Sequence, residues 1–213
     1  MKTPLSYRTI AGYGETEIII QKSRFICQAS PVKTEEAAQK FIADISKKYW
    51  DATHNCSAYL ITDLIQKASD DGEPSGTAGK PMLEVLHAKK VQYTAVVITR
   101  YFGGTKLGAG GLVRAYSQGT SAALEAAGIV QPVLHQSITI TFDYAHIGKL
   151  EHELRQTAYF LDQPVFTEHI SWTLWVPTDE VTQIKAQIID WTHGQAKVEL
   201  GEFEYRVRFT TLK

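Results

Sequence analysis

Residues 93–99, Tyr-Thr-Ala-Val-Val-Ile-Thr, are apolar or β-branched at nearly every position. The run is too short for a helix and is apolar on both alternating faces, as in a strand buried from both sides. It leads directly into residues 100–117, RYFGGTKLGAGGLVRAYS, where five glycines (Gly103, Gly104, Gly108, Gly110 and Gly111) fall within nine positions. Beyond them the spacing predicts a helix with Leu112, Ala115, Tyr116, Gly119, Ala122 and Ala126 on one stripe, small enough to pack closely on a sheet. A second stripe carries Arg114, Gln118, Ser121 and Glu125. Strand, glycine-rich turn and helix together demand a layered fold of mixed α and β structure.

The rest of the first half agrees. Strands are predicted over 17–20, 24–29 and 56–62. A helix is predicted over 35–50, with Thr34 as cap, Phe41, Ile42, Ile45 and Tyr49 as buried stripe, and Lys47 and Lys48 near its carbonyl end. Gly128, followed by Pro132, marks a helix stop and a boundary, giving domains 1–131 and 132–213. Charge differs across that point: residues 1–133 hold 15 basic and 12 acidic side chains, residues 134–213 hold 7 and 11. The second half reads as strand 137–142, then a helix on Ile147, Leu150, Leu154 and Ala158, then a hairpin of 159–166 and 170–176. A helix on Val181, Ile184 and Ile188 follows, capped by Thr178 or Asp179 and ended by Gly194, and then a strand over 196–209 with a bulge at Gly201. The order βαββαβ is that of a ferredoxin-like split βαβ, an antiparallel sheet with both helices on one face. The fold class is α+β.

Composition narrows the function. The formal charge of the whole chain is -1, so no global basic field draws it to nucleic acid or to an anionic membrane, and any such binding is local. Residues 1–15 contain no apolar core of signal-peptide type and no window approaches 18 apolar residues, so the chain is read as cytoplasmic. Cys27 and Cys56 are too few for a thiolate zinc site and read as buried thiols. The seven histidines show no ligand spacing. Neither a metal site nor a catalytic residue is assigned.

Three segments carry chemistry. Backbone N–H groups at the start of the helix after the glycine-rich turn favour an anion, and Arg100, Lys106 and Arg114 lie close by in sequence. Gly103, Gly104, Thr105, Gly108, Gly110 and Gly111 would let the backbone approach a phosphate. The glycines match neither a Walker A loop nor GxGxxG, and on composition alone they also fit tight turns and close helix contact. Residues 69–83, SDDGEPSGTAGKPML, offer Asp70, Asp71 and Glu73 for a divalent cation or a basic group, and Ser75, Thr77 and Lys80 for phosphate, or else form a solvated turn. Pro81 then sits in the first turn of a short helix through about Leu86. Residues 52–61 (ATHNCSAYLI) place His54, Asn55 and Cys56 at the mouth of a strand; a Cys and His two apart share a face without the geometry of a nucleophile and its base being assured.

Together with KSRFI at residues 22–26, these segments resemble the YigZ/IMPACT family of translation regulators in its bacterial two-domain form, over nearly the whole chain. The resemblance implies a first domain with the fold of ribosomal protein S5 domain 2. It implies a second, ferredoxin-like domain similar to the last domain of elongation factor G. Eukaryotic relatives compete for an activator of a kinase that phosphorylates an initiation factor, and they carry an RWD domain for which 213 residues leave no room. The motif surface carried over includes His54, Asn55, Asp70, Asp71, Glu73 and Thr77.

Three functions are weighed. The first is regulation of translation by binding RNA, the ribosome or a translation factor through Lys80, Arg100, Lys106, Arg114 and the glycine-rich backbone, with no cofactor and no DNA sequence specificity. The second is a Mg-dependent enzyme acting on a phosphorylated small molecule. The third is a protein-interaction module using exposed tryptophans among Trp172, Trp175 and Trp191. The acidic and basic loops pairing with each other would make the same residues scaffolding.

Overall fold

In the computed structural model, which describes residues 7–207, the apolar run at 93–99 lies in the central strand of a five-stranded antiparallel sheet. The described chain forms two compact α+β units that divide between Gln131 and Pro132. In order, the first unit holds β1 (Thr9–Ile10), β2 (Gly14–Ile20), β3 (Ser23–Pro31), α1 (Glu35–Lys48), β4 (His54–Thr62), β5 (Ile65–Ser69), α2 (Gly79–Lys89), β6 (Thr94–Tyr101), α3 (Gly108–Ala127) and β7 (Ile129–Val130). The sheet order is β2-β3-β6-β4-β5, and β1 pairs with β7 in a separate two-stranded ladder.

Both faces of that sheet are covered, which fits the unbroken apolar run Ala95, Val96, Val97 and Ile98 in β6. On one face Phe25, Cys27, Cys56, Leu60, Val96 and Ile98 pack against Met82 and Leu86 of α2 and Leu112, Tyr116, Ala123 and Leu124 of α3. On the other, Tyr59, Ile61 and Ala95 meet Ala38, Phe41 and Ile42 of α1. Thr34 caps α1 by accepting the Ala37 N–H at 3.2 Å. Two expectations change here. The buried stripe of α3 continues through Ala123 and Ala127, while Ala122 is half-buried and Ala126 exposed, because the helix keeps i, i+4 spacing from Ala115 and Gly119. Strand β5 is an addition: its five residues are all exposed, and pairing with β4 alone makes it a strand.

The second unit comprises β8 (Pro132–Phe142), a 3-10 turn (Tyr144–His146) running into α4 (Ile147–Arg155), β9 (Phe160–Leu161), β10 (Val165–Phe166), β11 (Ile170–Pro177), α5 (Val181–Trp191) and β12 (Lys197–Val207). Its sheet runs β10-β11-β8-β12, with β9 also on β11 and all pairings antiparallel. Ile138, Ile140, Trp172, Leu174 and Val176 point to the face that holds Leu150 and Leu154 of α4 and Val181, Ile184 and Ile188 of α5. The bulge at Gly201 appears as a register shift between Leu200 and Phe203. The strand expected at 159–166 is two short ones, interrupted around Pro164, which has no N–H to give a ladder. Neither Thr178 nor Asp179 caps α5: Glu180 holds that position without a side-chain hydrogen bond. Helix α4 stops at Arg155, short of Ala158. Residues 208 and 209 of the last expected strand lie outside the described residues.

The tryptophans considered for partner binding are engaged. Trp172 is buried, Trp191 packs against the core, and Trp175 lies under Arg206, whose guanidinium is 4.0 Å from its ring centre. Leu154 is fully buried, so Leu154→Ala should lower the unfolding free energy by about 2–5 kcal/mol, measured by urea titration.

Candidate functional site

Every motif singled out in the first half converges on one end of the five-stranded sheet. β6 ends there with Arg100 and Tyr101, β4 begins there with His54, β3 begins with Ser23 and β5 ends with Ser69. The register His54↔Arg100 on β4 and β6, and Phe25↔Arg100 on β3 and β6, places the three segments side by side.

At the centre is a buried ion pair. Arg100 Nη1 donates to Glu73 Oε1 at 2.6 Å, with 6% and 3% of the two side chains exposed. Arg100 Nη2 donates to Ser23 Oγ at 3.2 Å, and the guanidinium lies over the rings of Phe25 and Phe102 at 5.4 and 5.6 Å. Tyr116 of α3 donates its hydroxyl to the same Glu73 oxygen at 2.8 Å. Cys56 donates to the Asp70 carbonyl at 2.9 Å, and its sulfur lies 3.3 Å from the Tyr116 hydroxyl. Burial pushes the Cys56 thiol up to about 12, with the Tyr116 hydrogen bond opposing and the nearby carboxylates adding to the rise. Burial, then Cys56 and Glu73, also raise Tyr116 well above the phenol range. A thiol in this state is a hydrogen-bond donor rather than a nucleophile.

The acidic loop is organised by its own carboxylates. Asp70 Oδ1 accepts the N–H groups of Ala78 and Gly79 at 3.0 and 2.8 Å, and Oδ2 accepts that of Gly76 at 2.8 Å, so Asp70 caps the start of α2 from a distance. Burial raises its pKa, but those three N–H groups outweigh it and hold the carboxyl below its ordinary value. Asp71 Oδ2 accepts the Asn55 backbone N–H at 2.5 Å, and the Asp71 carbonyl lies 2.7 Å from His54 Nδ1. The Asn55 side chain bridges Tyr49 and Thr99. Thr77 donates its hydroxyl to the Pro74 carbonyl, Ser75 is exposed, and Lys80 reaches Glu84 at 4.0 Å on the exposed side of α2.

The glycine-rich loop lies above the ion pair. A Cβ on Gly103 would come within 2.0 Å of the Lys22 backbone, so the loop can pass beside the β2–β3 turn only as glycine. Gly108 enters α3 at φ +69°, a conformation that side chains resist. Leu107 at the cap position gives no side-chain hydrogen bond to α3, whose first N–H groups are therefore uncapped. Gly104, Thr105, Lys106, Gly110 and Arg114 are exposed, Gly111 is half-buried, and Lys106 and Arg114 make no ion pair among the described residues. A cavity of about 320 Å³ runs from Lys106, Gly108 and Ala109 past Leu107 and Leu112 to Phe102, Pro74, Arg100 and Glu73.

The structure thus separates residues that the sequence had grouped as one phosphate-contacting set. Lys106, Gly108 and Arg100 share the cavity, whereas Lys80 faces away on α2 and Arg100 is neutralised by Glu73. Tyr116, read as packing and also as part of the motif and stacking surface, is fully buried and belongs with Ser23 to the polar network. Trp50, 82% exposed beside Asp51, was missed entirely; a lone tryptophan at a helix end carries no periodic signal. Its neighbour Asp51 accepts the Tyr101 hydroxyl at 2.9 Å, which places Trp50 at the same end of the sheet. Among the described residues no group of three His, Cys, Asp or Glu side chains is arranged to hold a metal ion, and no helix is long and apolar enough to cross a membrane.

A sheet-end site built from these motifs, followed by a second α+β unit, defines a two-domain protein whose residues 21–124 match the Impact N-terminal domain and whose residues 140–195 match a domain of unknown function, DUF1949. The chain is 47% identical over 202 residues to the IMPACT family member YvyE of Bacillus subtilis, covering 94% of this chain and 93% of that one. It is 32% identical over 183 residues to the IMPACT family member YigZ of Escherichia coli, covering 84% and 90%. Protein IMPACT of Rattus norvegicus matches over 95 residues at 33% identity, 41% of this chain and 29% of that one. A solved structure titled "Crystal structure of an hypothetical protein" superposes with a TM-score of 0.57 at 30% identity, covering 92% of this chain and 97% of that chain. The chain belongs to the IMPACT family.

Because the Asp70 carboxyl is held below its ordinary value, its contribution to stability is complete at neutral pH and is lost as pH falls through that lowered value. Asp70→Ala should cost about 2 kcal/mol at pH 7, the upper range for a lost helix cap, and the gap to the natural protein should narrow below about pH 4 in urea unfolding.

Proposed function

We propose that this chain regulates translation by binding RNA of the translation machinery, with the phosphate backbone engaged by the glycine-rich end of the first domain. The observation that carries this reading is the cavity in which Lys106 and the uncapped start of α3 stand beside Phe102 above the Arg100–Glu73 pair. Uncapped N–H groups, the positive end of a 20-residue helix, and Lys106 and Arg114, unpaired among the described residues, form a local anion-attracting surface on a chain of net charge -1. The domains are read as 1–131, S5 domain 2-like, and 132–213, ferredoxin-like. Supporting the second assignment, the first strand of the unit lies between the third and the fourth, with both helices on one face. A Mg-dependent enzyme gains less support, since the carboxylates of Asp70 and Asp71 are taken up by backbone N–H groups.

The test is fluorescence anisotropy of labelled single-stranded RNA across a KCl series. Affinity should fall by about 0.7 log units per log unit of salt for each phosphate engaged. Lys106→Glu combined with Arg114→Glu should abolish binding while leaving thermal unfolding unchanged, as both side chains are exposed. Salt-independent binding, or binding untouched by the double charge reversal, would contradict the reading.

A further inference from the structure

The same cavity contains a feature that phosphate binding does not use. Glu73 accepts the Arg100 and Tyr116 hydrogen bonds through Oε1 alone. Oε2 receives no hydrogen bond among the described residues, although the side chain is 97% buried and lines the cavity. Its neighbour is His54 Nε2 at 3.9 Å. His54 Nδ1 lies 2.7 Å from the Asp71 carbonyl and donates to it. One NH₂ group entering the cavity would satisfy Oε2 at about 2.9 Å.

The other walls favour a flat ring attached to that amino group. Phe102 rests one face on the Arg100 guanidinium and is 46% exposed, and Pro74, Leu107 and Leu112 supply apolar surface around it. Lys106 and the first N–H groups of α3 lie along the same wall. At about 320 Å³ the cavity is the size of a small ligand cleft.

From this combination we infer that the cavity holds one unstacked nucleotide of a single-stranded RNA. Its base lies against Phe102 and donates an exocyclic amine to Glu73 Oε2, and its phosphate meets Lys106 and the start of α3. The inference rests on the RNA-binding reading and narrows it to single strands with amino-bearing bases. Uracil, with oxygen where cytosine has its amine, is excluded because that oxygen would face the Glu73 carboxylate.

The experiment compares labelled C12, labelled U12 and a labelled 12-base-pair RNA duplex by anisotropy at pH 7.5 and low salt, using the full chain and Phe102→Ala. C12 is expected to bind at least tenfold more tightly than U12 and than the duplex, the least that an unpaired hydrogen bond to a charged group produces. Phe102→Ala should weaken C12 binding about tenfold, the effect of losing one base stack. Equal affinities for C12 and U12, with binding to both intact, would overturn the nucleotide pocket and leave the phosphate reading standing. No binding of any of the three RNAs would overturn the pocket together with the reading beneath it.

Discussion

Arg100 stands at the end of the central strand with 5% of its surface exposed, and a guanidinium withdrawn that far from water is tolerated only when its charge is answered. Glu73 answers it from a loop 27 residues earlier, and the pair fixes where the acidic loop sits on the sheet. The same carboxylate oxygen takes the Tyr116 hydroxyl, tying α3 to the loop, and Ser23 ties the guanidinium and the Gly103 N–H to the β2–β3 turn. Four chain segments thereby share one charged contact. Pairs of this kind contribute little net stability compared with apolar packing, but removing one partner strands the other in the interior at a cost of about 3–5 kcal/mol. The arrangement therefore specifies geometry more than it adds stability.

With the loop and helix fixed in this way, Lys106 and Arg114 face solvent without an ion-pair partner among the described residues. Lys106, Arg114 and the start of α3 remain available because Glu73 is occupied by Arg100 and cannot neutralise them. The Asp70 and Asp71 carboxylates accept backbone N–H groups of the loop, of α2 and of β4, and so serve to hold the loop in place. A segment that reads as acidic and a segment that reads as basic are brought to the same end of one sheet.

Much of the fold was legible because it is written in local periodicity. Thr34 and the α1 stripe, the alternation of Ile170, Trp172, Leu174 and Val176, and the bulge at Gly201 each follow from residues within a few positions of one another. Strand β5 was not legible: Ile65–Ser69 is exposed at every residue and shows no alternation, so only its pairing with β4 defines it. The site was half legible. Glu73, Arg100 and Lys106 stand out by residue type and glycine context, but sequence cannot show that Arg100 turns inward to Glu73 while Lys106 stays outside. Tyr116 was placed correctly on the buried stripe of its helix, yet its hydroxyl contact with Glu73 spans 43 residues.

The central claim is that Glu73 and Arg100 act as one unit. A double-mutant cycle in urea, using Glu73→Gln, Arg100→Met and the pair together, measures it directly. Each single substitution should destabilise by about 3–5 kcal/mol, and the double variant should lose markedly less than the two combined, since neither charge is left stranded. Strictly additive losses would show that the two side chains do not depend on each other, and would contradict the account.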